Sequence, residues 1–503
     1  MRLFSTQKVQ FVEVYGSDVP SYAILSHTWS DGEILLQDLQ GANIRDAPWT
    51  ALNEHPPEVL KGNKAKGFKK VLKTTEIACR NGYNLLWVDT CCIDKTSSAE
   101  LSEAINSMYR WYGGAEVCYA YLSDVPPASV ESPFEPNSQF RRSRWFARGW
   151  TLQELIASKH VVIFASDWSY IGAKTGDMDF TKLLSEITGI QLDVLLGELS
   201  PQDMSIAARM HWAAERQTTR VEDIAYCLLG IFDVNMPLLY GEGKRAFIRL
   251  QEAILTKEED QSLFAWHSEL LPTSTLGDMG QTGGISGLLA DSPDWFWDDN
   301  EIETSMPMIL KSSPSAVTSK GLMVDFLLLP CTEDQPIAEA DFRVVLNCER
   351  LRDGQRESPV IYLKRIWGMG DQFARVRPDL KHFTPPMVDV LDVGIHESVF
   401  IKQDPWSDMR TIRIVAAKDG SQLHLPSGTS DRRVAAANWK IKDAWPRKGW
   451  AENMQTFQTR EFTFGIPCGV LRLEINESGQ STTVDVAVGM HAPSDRLSRS
   501  WCQ

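Results

Sequence analysis

The stretch Arg144-Trp-Phe-Ala-Arg-Gly-Trp-Thr-Leu-Gln-Glu-Leu-Ile156 decides how this chain is read. Counted at helical spacing from Trp150, Leu152, Leu155 and Ile156 share one side, the i, i+3, i+4 stripe with which a helix packs on a sheet. Trp150 and Glu154 share another side one turn apart, which sets an indole beside a carboxylate. A few residues on, Val161-Val-Ile-Phe164 has the composition of a buried strand. Glu154 therefore has two readings. It is a desolvated acid near a strand end, or it closes a capping box with Thr151 at a helix start.

Working outward, three more apolar runs precede this one: Tyr22-Ala-Ile-Leu-Ser26, Leu85-Leu-Trp-Val88 and Val117-Cys-Tyr-Ala-Tyr-Leu122. Between them, Phe68, Val71, Leu72, Thr75, Ala78 and Cys79 recur at helical spacing and stop at Asn81-Gly82. After Ser97-x-x-Glu100, a capping-box pattern, Leu101, Ile105, Met108 and Tyr112 form a second inward stripe that ends at Gly113-Gly114. Short apolar strands alternating with amphipathic helices predict an α/β fold, a parallel sheet covered on both faces. Ligands of such sheets bind outside the carboxyl ends of the strands. Those ends are Ser26-His27, Asp89-Thr90 and the loop leading to Trp150.

From about 180 to 257 the periodicity is helical, with Met236-Pro237 as a break. The polar cluster Arg216 to Asp223 reads as helix capping and surface ion pairs, or as a wall of the pocket. Gly241-Glu-Gly243-Lys244 lacks the spacing of a phosphate-binding loop and reads as a turn into a helix. Beyond about 260, alternating runs such as Met323 to Leu328, Phe342 to Leu346 and Val484 to Val488 are punctuated by Gly, Pro and Asp. They predict a mostly β domain, a sandwich or barrel. The domains expected are an α/β core over 1–179, its helical extension over 180–260, and a β-rich binding or regulatory module over 261–503.

A net charge of −15 leaves no basic excess with which to release counterions from nucleic acid or an anionic membrane. The nine cysteines are odd in number and include no C-x-x-C pair, which points to reduced thiols in the cytoplasm and not to a disulfide framework or a zinc site. No run of about 18 apolar residues suits a membrane span, and the first residues lack a signal-peptide core. Cys91-Cys92 with His27 raises a thiol-nucleophile reading, but no orienting third group accompanies it.

Three ordered blocks carry a family resemblance: Tyr22-Ala-Ile-Leu-Ser-His-Thr-Trp29, Leu86-Trp-Val-Asp-Thr-Cys-Cys-Ile-Asp94 and Arg148-Gly-Trp-Thr-Leu-Gln-Glu-Leu155. With Ala225 to Gly243 following, they resemble the fungal heterokaryon-incompatibility (HET) domain over roughly residues 20–255. That resemblance implies non-self recognition and cell death. Ser143-Arg-Trp145 and Trp150-x-x-x-Glu154-Leu155 are also similar to a TIR-domain segment, although Thr151 stands where that domain often has Cys and the insertions here are larger. This second resemblance implies a TIR-like (flavodoxin-like) sheet with helical insertions, in which Glu154 is the catalytic acid of NAD cleavage. NAD is then the substrate and no further cofactor is implied. By residue type and position, Ser26, His27, Trp29, Asp89, Arg148 and Trp150 would line such a site: Asp89 orders the ribose or a loop, or caps a helix; His27 is a polar wall or a hydrogen-bonded loop histidine; and Arg148 holds the diphosphate or pairs with Asp89 or Asp94. Self-association is the expected trigger, and the β-rich half a possible seat for a protein partner. The competing expectation is a non-catalytic death-signalling module that oligomerises and recruits partners.

Overall fold

The computed structural model describes backbone and side chains of residues 1–403, except 17, 41–43, 45, 269–284, 305–313, 332–339, 367–370, 387–393 and the side chain of 285; beyond 403 it describes only the backbone of the strands. Two compact units emerge. The first comprises 1–266, 289–309 and 347–358; the second comprises 267–288, 310–346 and 359–503.

The first unit is built on a seven-stranded sheet. Its strands are β1 (Arg2–Ser5), β2 (Phe11–Glu13), β3 (Ala23–His27), β4 (Leu85–Trp87), β5 (Val117–Tyr121), β6 (Val161–Phe164) and β7 (Tyr170–Ala173), in the order β2-β1-β4-β3-β5-β6-β7. The four apolar runs form the parallel centre, β4-β3-β5-β6. Numbered among themselves these strands run 2-1-3-4, so the order reverses beside β3 and opens a crevice at the carboxyl ends of β3 and β5. The sheet is mixed, not purely parallel. β1 and β7 pair antiparallel at its two sides, and β2 extends the β1 side as a hairpin. These strands are short and partly polar, which is why periodicity did not disclose them.

The two helical stripes are present as Ala65–Arg80, stopped at Gly82 with φ of 85°, and Ser98–Gly114, capped by the Ser97 side chain on the Glu100 amide. Glu100 does not complete the capping box. Its carboxylate instead accepts from the Asp94 amide and from Arg2. Gly149–Ala157 is a helix whose Leu152 and Leu155 are fully buried and whose Ile156 is nearly so, as the stripe requires. Met178–Thr188, Ile206–His211, Asp223–Tyr226 and Arg245–Leu255 supply the helical portion that follows.

In the second unit, Gln372–Val376, Ile395–Ile401, Gly321–Pro330, Phe342–Val345 and Gln355–Arg365 pair in succession, and Gln355–Arg365 pairs back to Gln372–Val376. That closure makes a five-stranded barrel, filled by Phe326, Leu328, Val344, Ile361, Leu363, Phe373 and Val399. A second antiparallel sheet carries Trp439–Trp445, Pro467–Glu477, Gln480–His491 and Arg499–Cys502. Among the described residues no helix is long and apolar enough to cross a membrane, and no group of three or more His, Cys, Asp or Glu is placed to hold a metal.

Candidate functional site

At the crevice, β3 ends in Ser26 and His27, both buried, and β4 leads directly into Asp89, the first residue of the single-turn helix Asp89–Cys92. The helix Gly149–Ala157 packs against β3 and brings Glu154 to the same place. Its approach depends on Gly149, where a Cβ would lie 2.6 Å from Thr218 Cγ2 and 3.1 Å from Cys227 Sγ. The Gly149 amide donates to Gln217 O at 2.9 Å, and the buried Arg216 guanidinium donates to Trp212 O at 2.8 Å and to Arg148 O at 3.1 Å. The polar cluster that begins at Arg216 is therefore scaffolding under the Arg148 loop. Surface ion pairing does not describe Arg216 itself, which is only 7% exposed and donates to those backbone carbonyls.

The capping-box reading of Glu154 is corrected. The helix begins with Arg148 as N-cap, so Thr151 already lies inside the first turn, and its hydroxyl donates back to Arg148 O at 2.9 Å and to Trp145 O. Glu154 points inward, is 5% exposed, and is pushed up to about 8. Burial is the main cause. The negative charge of Asp89 adds to it, while the Ser26 hydroxyl, Arg148 and the Tyr112 phenol work against it. Ser26 Oγ accepts from Trp145 Nε1 at 2.7 Å and keeps its own proton for the carboxyl. Tyr112 donates to Leu25 O at 3.1 Å and sets its phenol beside the Glu154 carboxyl. The second oxygen, Oε2, is buried without a hydrogen-bond partner.

Asp89 and His27 continue the site. Asp89 Oδ2 accepts from Trp29 Nε1 at 2.7 Å, and Asp89 Oδ1 lies 3.9 Å from His27 Nδ1. Burial and the nearby Lys70 ammonium push His27 below its usual value, while Glu33 and Asp89 pull it up. On its other side Glu33 Oε2 lies 3.6 Å from His27 Nε2, and Glu33 Oε1 accepts from Lys70 Nζ at 2.6 Å. Burial opposes ionisation of Glu33, but His27 and Lys70 overcome it and hold the carboxyl well below the usual range. Gly67 permits this contact. A Cβ there would sit 2.4 Å from Gly32 O and 3.0 Å from Glu33 Cα.

Trp29 stands at the rim, 43% exposed. Lys95 Nζ lies 3.5 Å from its ring centroid and Arg148 Cζ lies 5.4 Å from it. Among the described residues Arg148 forms no ion pair. Asp94 is occupied by Thr96 and Gln37 instead. Trp150 does not join the others: its indole lies beside Asp223 and favours that group's charged form, and Asp223 Oδ1 accepts from Tyr240 at 3.0 Å. The i, i+4 pairing of Trp150 with Glu154 thus marks one helix side without uniting the two groups, and Trp145 takes the place against Ser26. The thiols are inert as nucleophiles. Burial pushes Cys91 up to about 12 and raises Cys92 well above the usual thiol value, so neither is a thiolate at physiological pH.

Ser26, His27, Trp29, Asp89, Arg148 and Glu154 therefore converge. Sequence reasoning missed Tyr112, Trp145, Glu33, Lys70 and Lys95. Tyr112 had been assigned to a packing stripe, and only its hydroxyl on that stripe signalled more. Lys95 directly follows the block that ends at Asp94, and Trp145 lies inside the opening stretch. The Gly241 turn was read correctly: both glycines take positive φ, and their amides donate to Glu222 at 2.8 and 3.1 Å, which occupies the loop internally.

Comparison with known proteins gives a consistent pattern. Residues 22–136 match the family described as heterokaryon incompatibility protein (HET), and residues 245–326 match a domain of unknown function (DUF8212). The vegetative incompatibility protein HET-E-1 of Podospora anserina is 42% identical over 240 residues, which are 47% of this chain and 16% of that protein. The chain thus matches about one sixth of the length of that relative. No solved structure matches.

Proposed function

Because this chain carries a heterokaryon-incompatibility domain, we propose that it is an effector of fungal non-self recognition and cell death that acts by cleaving the nicotinamide–ribose bond of NAD. The observation that carries the chemical part is the buried, half-satisfied carboxyl of Glu154 at the topological switch point of the sheet's 2-1-3-4 parallel centre. That strand order, with an acid on the helix before the fourth strand, is what the TIR-like reading expects.

In the reaction the C–N bond to ribose C1′ breaks and its electron pair leaves with neutral nicotinamide. Water adds to C1′ and releases a proton, giving ADP-ribose. The transition state is oxocarbenium-like, as in glycoside hydrolysis. In the protein by itself Glu154 is neutral at pH 7. A cationic nicotinamide ring favours its ionised form by charge, and the carboxylate then faces the developing positive charge. Asp89 and the Ser26 hydroxyl are suited to the ribose hydroxyls, and His27 forms a polar wall. Trp150, engaged by Asp223, is assigned to the scaffold in this proposal.

The test is nicotinamide release from NAD by the full chain and by its Glu154→Ala variant. Turnover by the wild type and at least a hundredfold loss in the variant is the expected result. Wild-type protein that is folded, self-associated and inactive overturns the reaction.

One feature favours the second reading, a non-catalytic signalling module: a neutral Glu154 hydrogen-bonded by Ser26 and Tyr112 is also a satisfactory packing group. Under that reading Glu154→Gln, which keeps the shape and the hydrogen bonds, retains cell killing. Under NAD cleavage it does not.

A further inference from the structure

Around the crevice several buried polar atoms have no hydrogen-bond partner: Asp89 Oδ1, Glu154 Oε2, His27 Nε2 and Lys95 Nζ. They are of opposite kinds. The carboxyl oxygens call for hydroxyl donors, whereas the Lys95 ammonium calls for an acceptor. Lys95 is the outlier, since a cation removed from water ordinarily finds a carboxylate or several carbonyls. Here it rests on the Trp29 ring at 3.5 Å, and among the described residues no ion pair forms to it. A cation–π contact is worth about 0.5–2 kcal/mol, and a charge-assisted hydrogen bond to an anion is stronger. Arg148, the other cation over the same ring, is likewise free of any ion pair among the described residues.

We propose that Lys95 and Arg148 form an anion subsite at the rim, which takes the phosphate oxygens of a nucleotide whose sugar faces Asp89 and Glu154. The inference rests on the nucleotide reading above and adds to it a residue and a discrimination: phosphorylated nucleotides are bound through Lys95, and nucleosides are not. When the ammonium turns to a phosphate it leaves the exposed face of Trp29, which becomes free to stack on a ring of the same ligand. The paired demand for hydroxyl donors and an anion fits a sugar phosphate and fits neither a peptide nor an apolar ligand.

Calorimetric titration of the full chain and of Lys95→Met with inorganic pyrophosphate, NAD and nicotinamide riboside tests this. The expected result is that the variant binds pyrophosphate and NAD about tenfold or more weaker, with Lys95→Arg restoring most of the loss, while nicotinamide riboside binds both proteins equally. Equal affinity of wild type and variant for both phosphate ligands overturns the subsite, as does an equal loss for all three ligands, which marks a general disturbance of the fold. If pyrophosphate binding depends on Lys95 but neither protein binds nicotinamide riboside or NAD, the anion subsite stands and the NAD reading falls.

Discussion

Glu154 is where the proposed chemistry and the stability of this protein meet. Its side chain is neutral in the folded protein up to about pH 8, whereas an unfolded glutamate ionises near 4.5. Below pH 4.5 both states are protonated and no cost arises. Between 4.5 and 8 the unfolded chain releases a proton that the folded chain retains, so stability falls as pH rises, and the loss is complete above 8. Glu154→Gln lacks this titration. In denaturant unfolding, the variant is expected to gain on the wild type progressively from pH 5 to pH 8, by on the order of 4 kcal/mol, and then to level. A stability difference that does not change with pH contradicts the burial of this carboxyl. The same ionisation governs activity if the carboxylate is the working form: kcat/KM for nicotinamide release should climb about tenfold per pH unit below 8 and then plateau. Lys70 gives a second residue-scale expectation. Lys70→Met strips the ionised Glu33 of its partner inside the protein, and a loss of about 3–5 kcal/mol is expected in the same unfolding measurement.

At the scale of elements, the helix Gly149–Ala157 is held from both ends. Lys174, just past β7 and 2% exposed, donates to Leu155 O at 2.9 Å, Ile156 O at 3.3 Å and Ser158 O at 2.7 Å, so a buried ammonium satisfies carbonyls at the helix C-terminus. Lys174→Met leaves those carbonyls without a partner and is expected to cost about 2–3 kcal/mol, read from the shift in denaturation midpoint. At the other end, Gly149→Ala forces a methyl against Thr218 and Cys227 and should cost about 1–3 kcal/mol. Because the displaced segment carries Arg148 and Glu154, a loss of nicotinamide release larger than the loss of folded protein is expected as well. The apolar faces of this helix and of the strands β3 to β6 were legible because burial imposes a period. Lys174 was not, since nothing in a single lysine announces that three carbonyls will surround it.

For the whole molecule, the proposed NAD cleavage carries an expectation about its trigger. If self-association is the trigger, nicotinamide release per chain should rise with chain concentration and track the oligomer fraction measured by light scattering. A constant specific activity across the association range excludes it. What the sequence by itself determined is the succession of strands and helices, the change to β texture near residue 260, and the set of polar residues at strand ends. Each follows from local periodicity or from the types of residue in one short segment. The tertiary structure alone decided strand order, the antiparallel strands β1, β2 and β7, the closure of the second unit's barrel and the partners of each polar group. It turned Trp150 to Asp223, set Trp145 on Ser26, and brought Tyr112 and Lys95 to a site assembled from segments more than a hundred residues apart. The physical reason is that burial is a property of space. The proton on Glu154 depends on what the rest of the chain packs around it, and no spacing along the chain encodes that.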